Sequence, residues 1–320
     1  MSSTTISTAS STSTDLPNEK IGYSALVIVI AAGAIGPIVI RMALGEGVSP
    51  ISIVAMRLLL ATIILTPFVL RNYREQVRLV TRRQLILIAL SGFWLAVHFM
   101  GFTGSLNKTS VLMTTVIVAT NPLWAAILEA VFLRTRAHSL VWIGIACAII
   151  GGAVIAFGGT GAVLNNPDPL GGGLLALLGA IASAIYLLIG RSVQTRISLI
   201  PYIWMVYGFA ALTATTFSIL SGNSLTGYSA AGYFWVVVIT FLLQLLTHGS
   251  INLALRYFAA TYVSIFLQVS VIGNVFFAFI FFDEVPKELQ LIGAATVIIG
   301  VILATIGRGR RQAKNLIKEA

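Results

Sequence analysis

The sequence predicts an all-α integral membrane fold: ten transmembrane helices in two inverted five-helix repeats, with both termini cytoplasmic. Three observations carry this. First, 58% of the 320 residues are hydrophobic and only 9% charged, whereas a soluble domain carries roughly 25% charged residues. Apolar runs of about 20 residues recur along the chain, each long enough to cross a bilayer core. Second, Arg and Lys gather on alternate loops. Third, the end of the first half returns near the C-terminus.

That return is measurable. Shifting by 149 residues pairs Phe132 with Phe281, Ile143 with Ile292, Gly144 with Gly293, Ala146 with Ala295, Ile149 with Ile298, Ile150 with Ile299, Gly151 with Gly300 and Gly158 with Gly307. These are eight identities in 27 positions, where apolar helices of this composition match by chance at roughly three. At an offset of 150, Ala32, Ala34, Ile35 and Arg41 recur as Ala182, Ala184, Ile185 and Arg191.

In chain order, the Ser/Thr-rich residues 1–21 lack a basic region ahead of an apolar core and read as a disordered cytoplasmic tail. Expected spans cover 22–43, 50–70, 84–104, 109–132 and 139–158, a first repeat over 22–158. The second repeat, 170–307, holds spans at 170–190, 200–220, 231–252, 258–282 and 288–306, and a basic tail, 308–320, follows. Lys20, the 71–83 loop with its five arginines, Arg134, Arg136, Arg191, Arg196, Arg256 and the tail hold 16 of the 20 basic residues. Positive loops stay cytoplasmic, so both ends lie inside and the span count is even. Topology, not nucleic acid, thus accounts for the net charge of +10. Because each repeat has an odd number of spans, the second inserts upside down relative to the first. Such repeats place a solute site where the halves meet.

The paired halves, the PLWAAILEAVFL segment (122–133) before a short basic turn, and FFDEVP (281–286) before a Gly-spaced last helix together resemble the drug/metabolite transporter superfamily, of the ten-helix EamA type. The likeness covers about residues 22–307. Many such proteins carry a glutamate just before the proline; here that position is Asn121, and the second copy has Val271-Ile272-Gly273 at the matching place.

Polar groups inside spans are costly and mark either partners or function. Trp94 and His98 share a helix face, and Gln244 and His248 repeat that spacing at an offset of 150. Because those helices run oppositely, the two histidines are expected toward opposite membrane faces, as cavity-lining pairs or as interhelical hydrogen bonds. Asn121-Pro122 breaks the hydrogen-bond ladder of the fourth span, with Asn121 answering a freed carbonyl or facing a solute. Trp124 stands near it, with Gln268, Ser270 and Asn274 across the pseudo-twofold axis. Tyr186 is a further aromatic candidate. Arg57 meets either an anionic solute group or, the preferred expectation, its own interface or Glu46. Arg41 is expected at the interface. Glu129, the acidic residue within a span, is expected to pair with a loop arginine.

These features point to a secondary transporter in the cytoplasmic (inner) membrane, working on a small solute by alternating access. The resemblance implies an exporter of an amino acid or another small metabolite, aromatic or planar, or alternatively an importer of a cofactor or nucleotide-like compound. No nucleotide-binding loop is present, the single Cys147 offers no metal cluster or intramolecular disulfide, and neither a cofactor nor a nucleic-acid partner is implied. A membrane enzyme would need carboxylate or serine partners that the histidines lack. The glycine spacing suits close helix contact within the chain or between two copies in a homodimer.

Overall fold

The computed structural model describes residues 19–132, 138–157, 168–194, 197–258 and 260–319. Most of the expected tail, the turn bearing Arg134 and Arg136, and Arg196 lie outside the described residues. The elements are α1 (Glu19–Gly45), α2 (Pro50–Asn72), the short α3 (Arg74–Arg78), α4 (Arg82–Lys108), α5 (Val111–Val118), α6 (Asn121–Phe132), α7 (Ser139–Phe157), α8 (Pro169–Gln194), α9 (Leu199–Leu220), α10 (Ala230–Ile239), a π-helical segment (Thr240–Thr247), α11 (His248–Tyr257), α12 (Ala260–Phe282) and α13 (Glu288–Glu319). Among the described residues, eight runs are long and apolar enough to cross a membrane. Two shorter apolar runs, Ser139–Ile155 and Phe266–Phe282, fall at the fifth and ninth expected spans.

Local chemistry sets the boundaries. Ser49 caps α2, accepting from the Ser52 amide at 3.1 Å, with Pro50 in the first turn, where no amide is needed. Thr81 and Gln84 form a reciprocal capping box at the start of α4. Ser110 and Ser229 cap α5 and α10. Asp168 caps α8 by accepting from the Gly171 amide at 2.8 Å, and Lys108 reaches its other oxygen at 2.9 Å. The Lys108 ammonium and then the Gly171 amide hold the Asp168 carboxyl below its ordinary range.

Two expected spans are not continuous α-helices. The fourth splits at Ala119-Thr120 into α5 and α6. Pro122 has no amide for the Val118 carbonyl, and the Leu123 amide bonds Thr120 rather than Ala119, so the ladder is interrupted at both carbonyls. The eighth span passes through the π-helical segment, a rarer winding often found at functional sites.

The halves pack by exchange. The first helix of each half packs on the third and fourth runs of the other: α1 on α10–α11 and α12, α8 on α4 and α5–α6. The second helices, α2 and α9, meet each other, as do the last, α7 and α13. The last pair shows the symmetry residue by residue. A Cβ on Gly300 would lie 2.6 Å from the Gly144 carbonyl oxygen, and one on Gly151 would lie 2.6 Å from that of Gly293. The 149-residue shift exchanges these two contacts, and they run antiparallel. The glycine seam is therefore an internal one between α7 and α13.

Two charged residues find partners that the sequence does not name. Arg41 is 2% exposed. It pairs with the Glu284 carboxylate, which also accepts from the Val111 amide at 3.0 Å. Asp283, at φ 52°, takes the left-handed conformation after α12, and the turn brings Glu284 inward. Glu46 accepts from Ser229 at 2.8 Å, so it does not serve Arg57.

Candidate functional site

Where the halves meet, a cavity of about 250 Å³ opens among α1, α2, α4, the α5–α6 break, α8, the π segment, α11 and α12. Six of the sequence candidates line it: His98, Asn121, Tyr186, His248, Gln268 and Asn274. Arg57, set lower among the candidates by sequence reasoning, lines it too.

The broken helix supplies one wall. The unclaimed Ala119 carbonyl is met by the Gln268 amide at 3.5 Å, while Asn121 donates to the Ser183 hydroxyl at 3.2 Å. The freed carbonyl is therefore answered from α12, and Asn121 ties α6 to α8. Asn274 lines the cavity, and its Oδ1 is buried with no hydrogen-bond partner among the described residues. Such an atom is expensive to leave unanswered.

The opposite wall is built around Phe99. Its ring lies 5.1 Å from that of His98 and 5.1 Å, edge-on, from that of His248. The Arg57 guanidinium stacks on it, with its central carbon 3.7 Å from the ring centroid. His98 Nδ1 lies 2.8 Å from the Gly179 carbonyl oxygen, a contact that makes Nδ1 the donor and leaves Nε2 for the other side of the ring. The two histidines thus share one chamber instead of standing at separate mouths. Phe99, which links them, has no polar atom to attract notice in an apolar run.

Three candidates stand outside the lining. Trp94 lies one turn before His98 and packs into the α2–α4–α8–α9 core, edge-on to Phe93 at 5.4 Å. Gln244 lies one turn before His248, but Leu243 takes the wall position. The Gln244 side chain is fully buried with both amide atoms unbonded, while the residue's backbone carbonyl accepts from the Tyr207 hydroxyl at 3.2 Å. Trp124 bonds back to Thr120 at 3.1 Å and faces a separate apolar groove with Ile145, Gly152 and Leu174. Glu129, on α6, is not among the cavity-lining residues.

A multi-pass helical protein with a polar chamber between two exchanged halves is of the membrane-transporter class. The family model of the EamA-like transporter family matches residues 20–157 and 170–306. The chain belongs to that family. It is similar to the uncharacterized transporter YdfC of Bacillus subtilis (strain 168), 21% identical over 80% of this chain and 82% of the relative. It is also similar to the uncharacterized transporter YyaM of the same organism, 26% identical over 68% of this chain and 70% of the relative. A solved crystal structure that is 15% identical shares the fold at a TM-score of 0.57, over 92% of this chain and 97% of that one.

Proposed function

We propose that this transporter carries a small metabolite across the cytoplasmic membrane by alternating access, as ten spans in two inverted halves with both termini inside. The observation that supports it is the chamber itself. It lies between pseudo-symmetric halves, next to a broken helix and a π-helical segment, the kinds of irregular backbone tolerated in a bilayer only where protein or a cavity surrounds them. The bilayer is the solvent for the outer faces and a small solute the partner of the inner ones. His98, Asn121, Tyr186, His248, Gln268 and Asn274 are assigned to solute contact. Aromatic faces cover its apolar part, and amide and imidazole groups replace its water.

Two measurements test this. Metabolite profiles of cells with and without the protein identify the solute and its direction: excess in the medium marks an exporter, excess inside an importer. Proteoliposomes loaded with that solute should then show accelerated uptake of labelled solute. A channel or an enzyme gives no such trans-stimulation, and its absence would overturn the carrier mechanism.

A further inference from the structure

Arg57 is 2% exposed, lies on α2 within the expected second span, and lines the central chamber. Its Nε and Nη2 make no hydrogen bond. Among the described residues the lining includes no Asp or Glu, and Glu284 and Asp168 are paired with Arg41 and Lys108. Arginine keeps its proton in proteins, and a charge buried in a span is retained only with a partner or a function. The guanidinium carbon lies 3.7 Å from the Phe99 ring centroid, so the ring covers one side of the cation. Its in-plane N–H groups, with Nε and Nη2 buried and without an acceptor, have the geometry that takes a carboxylate in two parallel bonds. A chamber with a fixed cation and no fixed anion selects against cationic solutes and for anionic ones.

Building on the carrier reading, we infer that the solute is a small organic monoanion whose carboxylate docks on Arg57. The second polar feature of the solute follows from Asn274. Its unanswered Oδ1 needs a donor, so the solute carries a hydroxyl or N–H away from its carboxylate. Size follows from the cavity of about 250 Å³, which holds the volume of about eight waters. Aromatic and aliphatic lining suits an apolar body between the two polar ends.

The full-length protein in detergent is titrated with butyrate, benzoate, phenylacetate and 4-hydroxyphenylacetate, with their amides, and with phenethylamine. Binding is read from the shift in unfolding temperature, with monodispersity checked for every variant. At least one carboxylate should stabilise the wild type, its amide at least tenfold more weakly, and the amine not at all. Arg57→Gln should weaken carboxylate binding at least tenfold, and Arg57→Lys should recover part of it. Asn274→Ala should remove the advantage of 4-hydroxyphenylacetate over phenylacetate. Overturning results are amides binding as well as acids, no carboxylate binding, or Arg57→Gln binding as the wild type does. Counterflow separates the two claims: Arg57-dependent binding of benzoate without trans-stimulation refutes transport and keeps the anion site. Trans-stimulation by an amine or amide in Arg57→Gln refutes the anion site and keeps transport.

Discussion

Adjacent glycines on α7 should answer the same substitution with opposite signs. At Gly151 an added Cβ would lie 2.6 Å from the Gly293 carbonyl oxygen, 2.8 Å from Val297 Cγ2 and 3.0 Å from the Val297 amide nitrogen. Two of these three neighbours are backbone, so no rotamer change relieves them. Bringing 2.6 Å to ordinary contact at 3.4 Å requires α7 and α13 to part by about 0.8 Å, and overpacking of this kind costs about 1–3 kcal/mol. At Gly152 nothing lies within 4 Å, so Gly152→Ala meets no clash and gains up to about 1 kcal/mol of helix preference. The pseudo-twofold extends the argument. Gly300, the mate of Gly151, should respond as Gly151 does, because its Cβ would lie 2.6 Å from the Gly144 carbonyl and 2.7 Å from Cys147 Cβ. The assay is the unfolding temperature of the three alanine variants in one detergent. Gly151→Ala as stable as Gly152→Ala would refute the seam, and Gly300→Ala unlike Gly151→Ala would refute its symmetry. Gly144→Ala belongs to the same seam and should lower stability while leaving solute affinity unchanged.

Further outcomes follow from the same geometry. In a Cys147→Ala background, single cysteines at Asp168 and Gly227 should react with an impermeant thiol reagent in intact cells, and one at Arg78 should not; labelling at Arg78 would refute the inverted ten-span topology. Gln268→Ala or Asn274→Ala should weaken solute binding by about 1–3 kcal/mol, the cost of an unanswered buried polar group, and unchanged affinity in both would move the site away from α12. Among the described residues the chamber lining has no carboxylate, so Glu129→Gln should leave exchange and any proton-driven uptake intact; loss of proton-driven uptake alone would show that Glu129 couples protons. Because the Asp168 carboxyl is held below its ordinary range, its cap on α8 is fully present at neutral pH and lost only as acid protonates it. Protection of the Gly171 amide, taken relative to its intrinsic exchange rate at each pH, should therefore fall selectively in acid in the wild type and be less pH-dependent in Asp168→Asn.

Most of the helix plan was legible because membrane helices announce themselves by length and hydropathy, and six of the nine site candidates face the chamber because amides and imidazoles are rare in such runs. What the sequence concealed was direction around the helix. Trp94 and His98 share a face by spacing, yet the chamber ends between them, and a span that is apolar on all sides has no polar stripe to mark which turn faces inward. Gln244 was selected by its match to Trp94, but Leu243 is the residue that reaches the wall. Arg57 reaches the chamber against the preferred expectation: a bare sequence favours snorkelling for a lone arginine in a span, and the residues that meet Arg41 and Arg57 inside the fold, Glu284 and Phe99, lie 243 and 42 residues away.

The positions where the halves differ are those that surround the chamber. The α7–α13 seam obeys the 149-residue shift contact for contact, and apolar glycine packing of this kind can be copied because it asks only for close approach. The chamber walls do not obey it. The first half breaks its fourth span at Ala119-Thr120, just before Asn121-Pro122, whereas α12 runs unbroken past Val271-Ile272-Gly273. The second half winds its third span through the π segment, whereas α4 is α-helical from Arg82 to Lys108. In the proposed cycle the two halves exchange conformations, so the symmetric seams are free to serve either state. A single asymmetric solute needs an asymmetric lining, and Arg57 on one half with Asn274 on the other supplies one.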